Sequence, residues 1–260
     1  MTPTTVLCFS GHDPSGGAGI QADIETLISH QCHPCTVITA LTEQDSANIN
    51  KLIPQQAENV LAQARLILKD MSISAIKIGL LASVEIAQAV KQILIENPNI
   101  PVILDPVLAA GGGTELANDE LINAINQLLP LVYIITPNSV EARRLTNETD
   151  LESCGLALLK QGCDYVLITG EHEGMPTVTN QLFHEGKLLE SFQWNRLPEK
   201  YHGSGCTLAT SIAAMTALKF DPFNTVLEAQ EYTWSTLEAA CPIGKGQHIP
   251  NRLFWMEDNP

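Results

Sequence analysis

The sequence predicts an α/β fold: a mostly parallel central sheet flanked by helices on both faces, with a small antiparallel hairpin at one edge. Three observations carry this. Short apolar runs alternate with helix-length segments along the chain. The runs show little polar alternation, which marks strands buried on both faces. Near the end, two alternating runs joined by Glu185-Gly186-Lys187 have the pattern of a hairpin.

Taken in order, 6–10 is a strand, followed by a glycine-rich turn and a helix over 19–30. A second strand, 36–41, ends near Leu41. The alternation then repeats: helix 55–69, strand 75–78, helix 84–96, strand 102–104, helix 119–128, strand 132–135. Tyr165 opens another inner strand to 168. The hairpin comprises 177–183 and 188–194, and its polar faces place it at a sheet edge. Long helices over 206–218 and 225–240 precede an irregular tail, 242–260. No repeat or linker interrupts the 260 residues, so one domain spanning 1–260 is expected.

A chain that is 45% hydrophobic and 17% charged has a sizeable core and no disordered character. Its formal charge of -15 repels nucleic acid and anionic membrane, and no basic patch offsets it. Nucleotides are not excluded, because helix N-termini and Mg²⁺ neutralise phosphate locally. No apolar stretch is long enough to span a bilayer, and no basic region precedes the first apolar run, so a cytoplasmic protein is expected. The seven cysteines fit reduced thiols. Cys32-His33-Pro34-Cys35 has no partner motif and is expected in a structural loop between helix and strand.

Chemistry concentrates in a few turns. His202-Gly203-Ser204-Gly205-Cys206-Thr207-Leu208 runs straight into an apolar helix pattern. Glycine permits close approach to an anion, and the helix start adds about half a positive charge, so the turn can cradle a phosphoryl group. In that field the Cys206 thiolate is favoured and could take a proton from an alcohol; a plain helix start with a buried cysteine is the other reading.

The segment 11–19, GHDPSGGAG, follows the first strand at the edge where open α/β sheets bind ligands. Its spacing matches neither a Walker A loop nor a dinucleotide fingerprint. Asp23 falls one turn into the next helix, available to an amino-bearing ligand or serving only the helix dipole. Asp105 closes a strand before Pro106, a natural place for magnesium or phosphate chemistry. Asn138 and Glu141 lie on one side of a starting helix, as site residues, as a capping box, or both. Lys245, between two glycines, can swing toward a phosphate. The seven histidines show no metal-ligand spacing.

These blocks resemble the bifunctional hydroxymethylpyrimidine and phosphomethylpyrimidine kinases, within the ribokinase-like superfamily of three-layer sandwiches. The carriers, in order, are 11–23, 37–41, 76–79, 104–107, 135–138 with Glu141, and 202–208. The resemblance implies transfer of the ATP γ-phosphate to the hydroxymethyl oxygen of 4-amino-5-hydroxymethyl-2-methylpyrimidine, then a second transfer giving the diphosphate. It implies that Asp23 and Gln44 hold the pyrimidine edge, with Gly11, Leu80 and Val107 lining that site. Gly203, Ser204 and Gly205 would form the anion hole, and Cys206 would stand where most ribokinase-like enzymes carry an aspartate base. Asp105 and Glu141 would organise Mg²⁺. Asn138, Thr169 and Lys245 would lie on the nucleotide side. A homodimer is implied as well.

The chain departs from that pattern at Thr169-Gly170-Glu171-His172, where lysine is usual, and at the lysine-free 108–113 run; Leu80 replaces a common methionine. Two neighbouring activities share the pattern: a pyridoxal or pyridoxine kinase, which Gln44 argues against, and a ligand-binding homologue without transferase activity.

Overall fold

The structure is a computed structural model, and it describes residues 3–256. The ends of the predicted 1–260 domain, and the end of its tail, lie outside the described residues. One sheet of nine strands runs through the described residues in the order β3-β2-β1-β4-β5-β6-β7-β8-β9. Its parallel heart comprises β2 (His33–Gln44), β1 (Thr5–His12), β4 (Ala75–Ile78), β5 (Val102–Leu104), β6 (Ile134–Ile135) and β7 (Tyr165–Ile168). Antiparallel strands close both sides: β3 (Ile49–Pro54) on β2, and the hairpin β8 (Thr177–His184) and β9 (Lys187–Asn195) on β7.

Alternate residues of each inner strand feed two cores. Leu7, Phe9, Ile76, Ile78 and Leu104 face a layer of α2 (Ala57–Asp70), α3 (Val84–Glu96), α4 (Asp119–Asn126), α5 (Ser139–Thr146) and α6 (Leu151–Lys160). Val6, Cys8, Ala75 and Ile103 face α1 (Gly19–Ser29), α7 (Ser204–Ala217) and α8 (Pro222–Glu238). The small residues Ala209, Ala213, Ala214 and Ala217 give α7 a buried surface that lies close to the sheet.

The chain runs outward from β1 to β2 and β3, then returns past β1 to β4 and continues the other way. That reversal makes the carboxyl ends of β1 and β4 the place where such sheets open a crevice.

Several expectations are corrected. The second strand does not end near Leu41; it runs on to Gln44 and pairs with β3, Leu41 opposite Ile53. The polar sequence there hid an exposed two-stranded extension, turned by Asp45, whose Oδ1 accepts from the Ala47 and Asn48 amides. Helix α6, capped by Asp150, was not anticipated. Cys35 is a core residue of β2 rather than part of a loop, and all seven cysteines are free thiols. The irregular tail carries Arg252, one of the largest fully buried side chains.

Candidate active site

The carboxyl ends of β1, β4, β5, β6 and β7 open into one cavity of about 840 Å³. Thr42 and Gln44, on the β2–β3 extension, overhang it from one side, and Leu108 to Gly113 and the 194–206 segment close the others. At its floor Gly11 and Leu80 are so close that a Cβ on Gly11 would strike the Leu80 side chain.

The helix α7 starts at this cavity from Gly203, whose φ of 82° is a left-handed conformation that side chains disfavour. A Cβ there would also collide with the Gly17 carbonyl oxygen. The amides of the first α7 turn lack partners within the helix, and its residues Ser204, Gly205 and Cys206 line the cavity. Across from them stands Asp105, 5% exposed, its Oδ1 3.9 Å from where a Cβ of Gly205 would lie. The amide-rich helix start and the acidic strand end therefore meet, as the motif reading requires.

Burial pushes the Asp105 carboxyl up to about 6, Lys77 opposing and Asp23 reinforcing the rise. Burial, with Asp105 second, pushes Glu141 up to about 8, although Glu141 accepts from the Asn138 amide at 2.9 Å and the Leu108 amide at 3.3 Å. Asp105 Oδ2 is buried without a hydrogen-bond partner. Two crowded carboxyls and one orphaned oxygen suit a divalent cation. No cage of three or more ligating side chains exists among the described residues. That combination fits Mg²⁺, which keeps water and shares phosphate oxygens, better than a metal held by protein alone.

Beneath the floor lies a charge that was not anticipated. Lys77 occupies a core position of β4, 0% exposed, and pairs with Asp23 at 2.8 Å. Ser10 and Thr210 hydroxyls donate to the same carboxylate, and Lys77 Nζ also reaches Ser10 Oγ at 3.1 Å. Burial opposes the ammonium, but Asp23, Cys206 and Asp105 outweigh it and hold its pKa above the usual lysine range.

The cavity brings together Gly203, Ser204, Gly205 and Cys206 with Gly11, Gln44, Leu80 and Val107, and on the far side Asn138, Thr169, Asp105 and Glu141. Three expectations change. Asp23 does not reach the cavity; it is the fully buried partner of Lys77, and Ser10 stands between it and the opening. Lys245 does not line it either: its glycine loop packs behind Gln44 against Ser46 and Ala47, in a separate shallow depression. Cys206 is not a ready thiolate. Burial, with Asp105 and Asp23, pushes its thiol up to about 12, against the help of Lys77 and the Gly19 amide. Desolvation and two carboxyl neighbours outweigh the helix start. Asn138 proves to be both things at once, lining the cavity and closing a capping box with Glu141.

Sequence reasoning missed the polar ring around Gln44. His202 Nε2 lies 2.8 Å from Asp13 Oδ2 and 2.9 Å from the Gln44 amide. Asp13 also accepts from Ser15 and Ala18, and against burial it is held below the usual carboxylate range by His202 first and by Ser15. It missed the far wall too, where Trp194 and Asn180 both donate to Gln230 Oε1. Only the presence of tryptophan and amide side chains near chain segments of unknown distance signalled these.

A glycine turn on a helix start, opposed by an acidic strand end at the switch point of a three-layer sheet, defines a ribokinase-like phosphotransferase. The family model described as phosphomethylpyrimidine kinase matches residues 13–251. The chain belongs to that family. It is 34% identical to the hydroxymethylpyrimidine/phosphomethylpyrimidine kinase of Streptomyces coelicolor, covering 95% of this chain and 93% of the relative. Among solved structures, Bacillus subtilis pyridoxal kinase in its ADP complex superposes with a TM-score of 0.89 at 25% identity, over 99% of this chain and 100% of that one. Clostridium difficile phosphomethylpyrimidine kinase gives 0.78 at 28% identity, over 88% and 97%. No helix among the described residues is long and apolar enough to cross a membrane.

Proposed function

We propose that the chain is a single ATP-dependent kinase domain that phosphorylates 4-amino-5-hydroxymethyl-2-methylpyrimidine and then its monophosphate, supplying the diphosphate for thiamin synthesis. One observation carries the reading: Asp105 stands against the start of α7, its Oδ1 3.9 Å from where a Cβ of Gly205 would lie, and the two line the same cavity as Cys206.

Gln44, with Gly11, Leu80 and Val107 beneath it, positions the pyrimidine. The amides of the 203–205 turn stabilise charge on the transferred phosphoryl group, which is most of what such a reaction needs. The hydroxymethyl oxygen bonds to the γ-phosphorus while the bond to the bridging oxygen of ATP breaks and ADP leaves. The alcohol proton passes to Cys206 Sγ as the thiol proton passes to the neighbouring Asp105 carboxylate. Asn138 and Thr169 face the nucleotide. Asp105 and Glu141 would hold Mg²⁺ through its water shell, where it neutralises phosphate charge. The reading extends to a cytoplasmic homodimer with a small-molecule substrate.

A coupled ADP-release assay with the hydroxymethylpyrimidine, its monophosphate and pyridoxal tests the proposal. Release stoichiometric with both pyrimidines is expected. Preference for pyridoxal, the activity named for the solved neighbour of 0.89 TM-score, would overturn the substrate.

A further inference from the structure

The two glycine loops of the site meet on a residue of the tail. Arg252 lies one position beyond the segment that the family model matches, and it is 1% exposed. Its guanidinium forks three ways. Nη2 donates to the Gly17 carbonyl, Nε to Thr207 Oγ1 at 2.9 Å, and Nη1 to Glu25 Oε2 at 3.0 Å. Thr207 Oγ1 itself donates to the Gly203 carbonyl at 2.9 Å. Tyr232 fixes the Arg252 backbone by donating to its carbonyl at 2.8 Å.

Burying a guanidinium costs several kcal/mol in lost hydration. Glu25, half-buried, is its one ion partner in the described structure, and the other two acceptors are neutral oxygens. An ion pair alone does not account for the placement. The acceptors do. The Gly17 carbonyl oxygen occupies the place a Cβ of Gly203 would need, so the negative end of a peptide dipole borders the turn that must receive a phosphoryl group. Arg252 draws that oxygen to itself, and through Thr207 it also fixes the Gly203 carbonyl. What remains at the cavity is the amide end of the turn, with the guanidinium, paired on one arm to Glu25, behind it.

We infer that Arg252 is a positioning residue for phosphoryl transfer, holding the 203–207 turn against the 16–19 loop and placing a buried cation behind the amides that face the transferred group. The inference rests on the kinase reading above. The full-length chain is tested by isothermal titration with two probes: the hydroxymethylpyrimidine alone, and ADP with Mg²⁺ and aluminium fluoride in the presence of the pyrimidine. For Arg252→Gln the pyrimidine should bind within about twofold of the unaltered chain, while the phosphoryl mimic weakens by about tenfold or more. Turnover should fall in parallel, with KM for the pyrimidine unchanged. Arg252→Lys, which keeps the charge but not the fork, should fall between. Equal weakening of both probes, or undiminished binding of the mimic, overturns the inference. If Arg252→Gln does not fold, Thr207→Val removes one arm of the fork, and the same split between probes is required of it. Failure of the unaltered chain to bind the mimic at all would instead count against the kinase reading.

Discussion

Lys77→Met should be among the most damaging single changes outside the cavity. Methionine keeps most of the volume and none of the charge. It leaves Asp23, which is wholly buried, with only the Ser10 and Thr210 hydroxyls to compensate its ionised form. Breaking a buried pair in this way costs about 3–5 kcal/mol, well above the 0.5–3 kcal/mol of an ordinary substitution. The loss also removes the cation that holds down Asp105 and Cys206, so both should become harder to ionise. Urea unfolding followed by fluorescence measures the first effect, provided the transition is two-state. The double variant Asp23→Asn/Lys77→Met then supplies the control. With no charge left to strand, it should recover much of the loss, because a buried pair is often no more stabilising than neutral groups of similar shape. A Lys77→Met protein within about 1 kcal/mol of the unaltered chain would refute the reasoning, since the carboxylate would then be compensated elsewhere.

Two further outcomes follow from the geometry. Cys206→Ala should lower turnover by about 10² to 10⁴, whereas Cys206→Ser, whose hydroxyl can still pass a proton to Asp105, should retain more; equal rates for all three would remove residue 206 from the proton path. His30 is half-buried, with a ring nitrogen 2.8 Å from Ser211 Oγ, and desolvation lowers its pKa from 6.5 to about 4. The unfolded chain therefore binds a proton between those values that the folded chain refuses. This contribution is fully present above pH 6.5 and is lost as the pH falls toward 4, by about 2–3 kcal/mol. Thermal unfolding at pH 7.5 and pH 5 should show His30→Gln losing less stability than the unaltered chain, and identical losses would refute it.

Much of the site was legible because its signals are local. A glycine-rich segment between a strand and a helix announces a turn at the sheet edge, and Asp105 before Pro106 announces a strand end, from a few consecutive residues. The same locality explains the failures. Asp23 read equally well as a ligand contact or a dipole partner, and only the packing of β4 beneath α1 placed Lys77 against it, 54 residues along the chain. Lys245, between two glycines, had the composition of a phosphate contact, but those glycines pack closely on Ser46, beside a separate depression rather than the cavity.

The sequence by itself determined the class of fold, the family and the turn that starts α7, because hydrophobic period and glycine spacing are properties of neighbouring residues. The tertiary structure alone decided the protonation of Cys206 and the place of Arg252. The first depends on how much water the fold removes and which carboxyls it brings near. The second depends on bonds to Gly17 and Glu25 across 235 and 227 residues of chain, a separation that no local pattern encodes.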